Sequence, residues 1–262
     1  MIKEQVKAYW EANVCETDTT KSPKYTKDYF EETEQYRYSV TPDVFQFAQF
    51  TRWHGKKVLE IGIGAGTDFI QWVRAGAEAY GIDLTEEAVE HTKKRLELYG
   101  LKAREVRVGD AENLPYANNT FDLVYSWGVL HHTPDTEKAI GEAIRVAKPG
   151  GRIKLMLYHR WSVLMLFKWL QVNFLKGKFP KSISWCLYHE CESVGTKAFT
   201  FSELRQLLSQ YPVQILEMKA QVNNYDLLWR YPLLFRALAY ILVCLMGFNR
   251  AGFFMTIDLG KV

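Results

Sequence analysis

Gly62, Gly64 and Gly66 stand at alternate positions directly after the short apolar run Val58-Leu59-Glu60-Ile61. That order describes a buried strand turning sharply into a helix, with bare backbone against which a ligand can press. Glu60 sets a carboxylate beneath the turn, which suits a ligand carrying a positive amino group better than one carrying a pyrophosphate. Asp83 follows Gly62 by 21 residues, the interval at which an acidic side chain accepts both hydroxyls of a ribose. Gly109-Asp110-Ala111 pairs a carboxylate with a small residue, a combination that can meet an adenine amino group and its neighbouring ring nitrogen. Farther on, Ser126-Trp127 leads to Leu130-His131-His132, a place where protons can be held or moved. A nicotinamide-dependent oxidoreductase shares the first two features. It would need its third glycine at position 67, where Thr67 stands, and it has no use for Asp110-Ala111 followed by Leu114-Pro115.

These residues all fall at the ends of predicted strands. Strands are expected at 57–62, 78–82, 103–108, 121–126 and 151–158, with helices at 67–76, 85–99 (Gly100 as its stop) and 135–147. Lys148-Pro149-Gly150-Gly151 reads as a hard stop and turn before the fifth strand. Such alternation predicts an α/β fold with a parallel, right-handedly wound sheet and ligands at the carboxyl ends of its strands. A helix at 203–210, started by Thr200 or Ser202, a strand at 213–219, an apolar helix at 233–246 and a last strand at 252–259 complete the pattern. Four parts are expected: a helical, aromatic cap (1–52), a cofactor-binding core (53–158), an apolar, lysine-punctuated insertion or lid (159–199), and a segment returning to the core (200–262).

Taken in order, Glu60-x-Gly62-x-Gly64-x-Gly66, Asp83, Gly109-Asp110-Ala111 with Leu114-Pro115, Leu130-His131-His132 and Arg145-Val146-Ala147-Lys148-Pro149-Gly150-Gly151 resemble the class I S-adenosylmethionine-dependent methyltransferases. The likeness is to the branch that includes ubiquinone- and menaquinone-biosynthesis methyltransferases and many small-molecule enzymes, and it spans residues 56–158. Ala147 departs from it, standing where leucine is usual. The resemblance implies a Rossmann-like doubly wound sheet of seven strands, mostly parallel, with an antiparallel last strand from Gly252. It implies S-adenosyl-L-methionine as cofactor and S-adenosyl-L-homocysteine as by-product. Gly62, Gly64 and Gly66 would wrap the methionine part, Glu60 would support that loop and the amino group, and Asp83 would bind the ribose. Leu84 would pack on the adenine, Asp110 and Ala111 would meet its edge, and Ser126 and Trp127 would line the sulfonium side. By their position in the cap, rather than from the resemblance, Tyr36 and Arg37 are expected to close over the cofactor.

Methyl transfer by in-line displacement needs alignment above all, and a base only where the acceptor is a protonated, weak nucleophile. His131, His132, Tyr158 and His159, near the ends of strands four and five, are the candidates for that base. The acceptor is expected to be a small lipophilic or aromatic molecule. Two other readings share the cofactor: a non-catalytic S-adenosylmethionine-binding protein, and a methyltransferase acting on a macromolecule. Ser126-Trp127-Gly128 is not the Asn/Asp-Pro-Pro-Tyr-like loop of a nucleic-acid methyltransferase, which disfavours nucleic acid as partner.

The chain of 262 residues is 48% hydrophobic and 24% charged, an ordinary soluble composition. Its net charge of +3 hides an asymmetry, because residues 152–262 carry 14 Lys+Arg against 6 Asp+Glu. With the apolar runs at 153–175 and 233–246, that basic half suits a greasy pocket, a peripheral membrane contact or a homodimer interface. The stretch 227–248 is broken by Arg230, Pro232 and Arg236, and the uncharged run that remains, about a dozen residues, is too short to span a bilayer. Cys15, Cys186, Cys191 and Cys244 form no disulfide framework. Cys186, His189 and Cys191 lack a local fourth ligand, so no metal is expected. Met1 to Trp10 has no apolar leader core, and a reducing cytoplasm is the expected compartment.

Overall fold

The chain builds its centre on a sheet whose apolar side chains alternate between two helical layers. The computed structural model describes residues 2–14, 17 and 20–262, with Cys15 outside them. Strands β1 (Lys57–Ile61), β2 (Glu78–Asp83), β3 (Glu105–Val108), β4 (Phe121–Trp127), β5 (Ala147–Tyr158), β6 (Val213–Gln221) and β7 (Phe254–Lys261) form one sheet in the order β3-β2-β1-β4-β5-β7-β6. All run parallel except β7, which lies antiparallel between β5 and β6. This is the mostly parallel Rossmann-like sheet with an antiparallel last strand that the sequence leads one to expect.

The period of two sorts the core. Val58, Leu123 and Tyr125 face one layer, made by α3 (Asp43–Ala48), α4 (Phe69–Arg74) and α5 (Glu86–Leu98). Leu59, Ile61 and Val124 face the other, made by α6 (Thr136–Val146) and α9 (Phe201–Leu208). Because β1 leads outward to β2 and β3 while β4 leads the opposite way to β5, the carboxyl ends of β1 and β4 diverge and leave a crevice.

Three details differ from expectation. Helix α4 starts at Phe69, leaving Thr67 and Asp68 in the turn that faces the crevice. Strand β5 begins at Ala147 rather than after the Pro149-Gly150-Gly151 turn, because Ala147 pairs with Phe121 ahead of a bulge between Phe121 and Leu123. Helix α9 begins at Phe201 under a capping box in which Thr200 and Glu203 satisfy each other's backbone N–H groups.

Around this core, α1 (Ile2–Ala12) and α2 (Lys27–Val40) lie on the crevice side. Residues 159–199 fold as α7 (Val163–Leu170), a π-helical turn (Gln171–Leu175) and α8 (Ile183–Glu190), and the segment returns to the sheet where His159 bridges to Phe199. Met165, Ile183 and Leu187 pack on Met156, Tyr158 and Phe253 at the sheet's edge. Helix α10 (Leu233–Met246) lies outermost, touching α7 through Val163.

The turn after β6 carries a buried acid. Asp226 is wholly buried, its Oδ2 accepts the Asn223 N–H at 3.2 Å, and burial pushes its carboxyl up to about 7. A carboxyl whose folded pKa is raised keeps its proton longer in the native state, so stability is lost as pH climbs from the unfolded value to the folded one. Urea unfolding should show the wild type losing roughly 2–3 kcal/mol from this group between about pH 5 and pH 8. Asp226→Asn should remove that slope; an unchanged slope would mean that Asp226 is ionised throughout.

Candidate active site

The crevice deepens into a cavity of about 300 Å³ over the carboxyl ends of β1, β2, β4 and β5. Its floor is the glycine turn. Gly62 has φ +80, and a side chain there would bring a Cβ to 2.2 Å from Val129 Cγ2, so both conformation and space demand glycine. The Gly62 N–H donates to Ile82 O at 2.7 Å, which ties the turn to β2.

Asp83 fastens the same turn from the end of β2. Its Oδ2 accepts the Gly64 N–H at 3.1 Å, and its Oδ1 accepts the Thr85 N–H at 3.0 Å and the Thr85 hydroxyl at 2.8 Å. Burial raises its pKa while these donors pull the other way. Thr85 in turn caps α5 by accepting the Ala88 N–H. One carboxylate therefore sets the glycine loop and the next helix together.

Beside the loop lies a second acidic group. Glu60 is buried with the Trp72 Nε1–H donating to its Oε2 at 2.6 Å. Burial, then the nearby Asp68, pushes the Glu60 carboxyl well above its usual range. Asp68 accepts from Arg37 Nη2 at 2.7 Å, Tyr125 OH at 3.0 Å and Tyr38 OH at 3.2 Å. The Arg37 guanidinium also lies 5.3 Å from the Trp127 ring centroid, so the cap reaches the middle of the cavity through this residue. At the opposite end, Lys3 of α1 donates to Asp110 Oδ2 and Glu112 Oε2, each at 2.6 Å, while the Glu112 N–H donates to Asp110 Oδ1 at 2.9 Å. Helix α1 thus crosses the mouth, and Val6 and Trp10 of the same helix face inward.

The far end is aromatic. Phe254 lies 6.2 Å from Trp127, 6.0 Å from Tyr158 and 6.0 Å from Tyr225, measured between ring centroids. Into this end projects Glu192, whose backbone takes φ +52, a left-handed conformation uncommon away from glycine. Tyr158 OH donates to Glu192 Oε2 at 2.8 Å, and His132 Nε2 lies 3.4 Å from the same oxygen. The Glu192 side chain is 42% exposed, but it opens into the protein-lined cavity, and that low-dielectric surrounding raises its pKa. Burial pushes the His132 imidazole down to about 3 and the His131 imidazole well below its usual range, so both are neutral at ordinary pH.

The structure brings together Glu60, Gly62, Gly64, Asp83, Leu84, Asp110, Ala111, Trp127, Arg37, His132 and Tyr158 on one cavity wall. Gly66 sits behind the wall, where an added Cβ would meet Thr92 Oγ1 at 2.7 Å. Ser126 is turned into the sheet and donates to Ile61 O at 3.0 Å. His131 is buried behind Tyr158, ring centroids 3.8 Å apart. His159 lies at the sheet edge with Nδ1 3.2 Å from Gly252 O, and Tyr36 accepts from Arg230 Nη2 at 3.2 Å away from the cavity. Asp68, Lys3 and Glu192 are wall residues that sequence reasoning passed over. Only Asp68, two positions after Gly66, lay close enough to the motif to be found.

The charge of the lining decides the ligand class. Six carboxylates (Glu60, Asp68, Asp83, Asp110, Glu112 and Glu192) face two basic side chains, Lys3 and Arg37. A pyrophosphate would be repelled by that lining, whereas an adenosyl compound bearing an ammonium and a sulfonium would be attracted. Residues 59–155 match the family described as methyltransferase domain. This segment is a class I S-adenosylmethionine-dependent methyltransferase domain. The chain is 28% identical over 205 residues to a demethylmenaquinone methyltransferase of Bacillus mycoides, covering 63% of this chain and 86% of that protein. It is 40% identical over 108 residues to norajmaline N-methyltransferase of Rauvolfia serpentina, covering 40% of this chain but only 37% of that one. In fold it is similar to geranyl diphosphate C-methyltransferase from Streptomyces coelicolor A3(2), with a TM-score of 0.66 at 14% identity over 99% of this chain and 98% of that chain. Among the described residues of this methyltransferase, no helix is long and apolar enough to cross a membrane.

Proposed function

We propose that the cavity holds S-adenosylmethionine along its acidic half and a lipophilic or aromatic small molecule at its aromatic end. The observation that carries this reading is the division of one cavity into two chemistries, with Trp127 between them. Bound S-adenosylmethionine supplies an electrophilic methyl group and leaves as the neutral thioether S-adenosylhomocysteine.

The chain's own residues do the rest. Glu60 and Asp68 offer two closely set carboxylates to the cofactor's ammonium. Burial, then the neighbouring Asp68, raises the Glu60 pKa, and a bound cation beside it would favour the ionised form. Arg37 is placed for the carboxylate of the same methionine part, Asp83 for the ribose, and Asp110 with Ala111 for the adenine edge beside Leu84. Lys3 holds Asp110 and Glu112 and so draws α1 over that end. Residues 1–52 act in this reading as the cap and 159–199 as the lid that supplies the acceptor wall.

For a protonated acceptor, Glu192 is the base. A histidine with a pKa of about 3 has too little affinity for a proton at neutral pH, whereas a carboxylate with a raised pKa is better matched. Tyr158 orients Glu192 through its hydroxyl, and His131 supports Tyr158 from behind. A relative named for demethylmenaquinone supports a lipophilic acceptor.

The test is incubation of the protein with methyl-labelled S-adenosylmethionine and fractionated cell extract. Label should enter a small molecule in the organic-solvent fraction. Label confined to protein or nucleic acid would overturn the small-molecule reading, and binding without any labelled product would favour a non-catalytic role.

A further inference from the structure

Helix α10 is built inside out. Its buried side is small, with Ala239 at 1% and Val243 at 0% exposure, while Leu234, Leu238, Ile241 and Leu245 are 68%, 50%, 54% and 78% exposed. Those four recur at the spacing of a single helical face, on the side opposite Ala239 and Val243. A surface helix of a freely soluble domain places its large apolar residues inward. Here they form an outward stripe.

This stripe has neighbours. Phe167 of α7 contacts Phe235 and Tyr231 at 5.7 and 4.7 Å between centroids, and Trp169, Phe174 and Phe179 continue the apolar surface along the π-helical turn. Residues 161–189 and 227–250 contain Lys168, Lys176, Lys178, Lys181, Arg230, Arg236 and Arg250 and not one acidic residue. Lys176 and Lys178 share Glu190 at the border, and the surface stays strongly positive. The loop into α10 begins at the cavity, where Tyr225 lines the wall, and passes Arg230, which holds Tyr36 of the cap.

We propose that α10 and the 161–181 surface dock the protein on an anionic phospholipid bilayer, lying in the interface without crossing it. The 14 residues of α10 extend only about 21 Å at 1.5 Å each, short of the ~30 Å hydrocarbon core. Leucines and aromatics on one face with lysines and arginines around it is the chemistry of an interfacial helix, and the positive border specifies acidic headgroups. A second copy of the chain is a poorer occupant, because a two-fold interface would bring two identical positive rims together. The docking does not depend on which acceptor the cavity takes.

The experiment is co-sedimentation of the full chain with phosphatidylcholine vesicles, with and without phosphatidylglycerol, at low and high salt. Roughly 100-fold tighter binding to the anionic vesicles is expected at low salt, with most of that gain lost at high salt. The double variant Leu238→Glu, Leu245→Glu should abolish sedimentation while leaving circular dichroism and S-adenosylhomocysteine affinity unchanged, because both side chains are outside the core. The proposal fails if the wild type stays in solution with anionic vesicles, or if the variant binds them equally well. It also fails if sedimentation equilibrium shows a dimer that the variant dissociates while neither protein binds lipid.

Discussion

Replacing Asp83 with alanine should weaken binding of S-adenosylhomocysteine by about 2–4 kcal/mol, roughly 30- to 1000-fold, as read by titration calorimetry. Two losses combine. The ribose hydroxyls lose a charged acceptor, and the Gly64 and Thr85 donors that Asp83 holds at 3.1, 3.0 and 2.8 Å are left without it. The second loss loosens the turn on which the methionine part rests, so the binding enthalpy should fall more than one ligand contact accounts for. Asp83→Asn separates the two effects. Its one amide oxygen can accept from Gly64 or from Thr85 but not from both, so the loop keeps part of its support while the charge toward the ribose is lost, giving an intermediate affinity. Full affinity in the alanine variant would show that the ribose lies elsewhere and that Asp83 serves the loop alone.

The cofactor half of the site was readable in the sequence because its parts are local. Gly62, Asp83, Asp110 and Trp127 each stand at or just past the end of a strand, and a parallel sheet carries strand ends to one edge without further instruction. The contacts made across the fold are different. Asp68 owes its role to Arg37 and Tyr38, some thirty residues upstream on α2, and no local pattern announces such a meeting. Glu192 reaches the cavity only because residues 159–199 fold back on the sheet edge and the backbone turns left-handed at that residue. Gly66 and Ser126 belong to the motif by position, yet close packing against Thr92 and the Ile61 carbonyl turns them away from the cavity. Period and spacing report strands and their ends; they do not report which tertiary neighbour claims a side chain. Helix α10 shows the same divide. Its bounds at 233 and 246 were plain from composition, whereas its outward leucines appear only once Ala239 and Val243 are seen facing α7 and its surroundings.

Replacing Glu192 with glutamine should lower kcat by about 100-fold or more on a phenolic or alcoholic acceptor, the usual worth of a positioned base. The substitution keeps shape and an oxygen to accept from Tyr158 OH, so the aromatic wall and the cofactor end should be undisturbed. Affinity for S-adenosylhomocysteine should therefore match the wild type, which separates lost proton transfer from lost structure. The pH profile supplies the signature. Burial raises the Glu192 pKa, so the wild-type rate should fall on the acid side at a pH above the ordinary carboxylate range as the base becomes protonated. The glutamine variant should lose that acid limb altogether. His132→Asn should leave the limb in place, because an imidazole held near pKa 3 contributes no proton transfer at neutral pH. A wild-type acid limb that survives in Glu192→Gln and vanishes in His132→Asn would reverse the two assignments. An acceptor methylated on an already unprotonated atom would show neither effect, so the size of the Glu192→Gln loss also distinguishes a protonated acceptor from an unprotonated one.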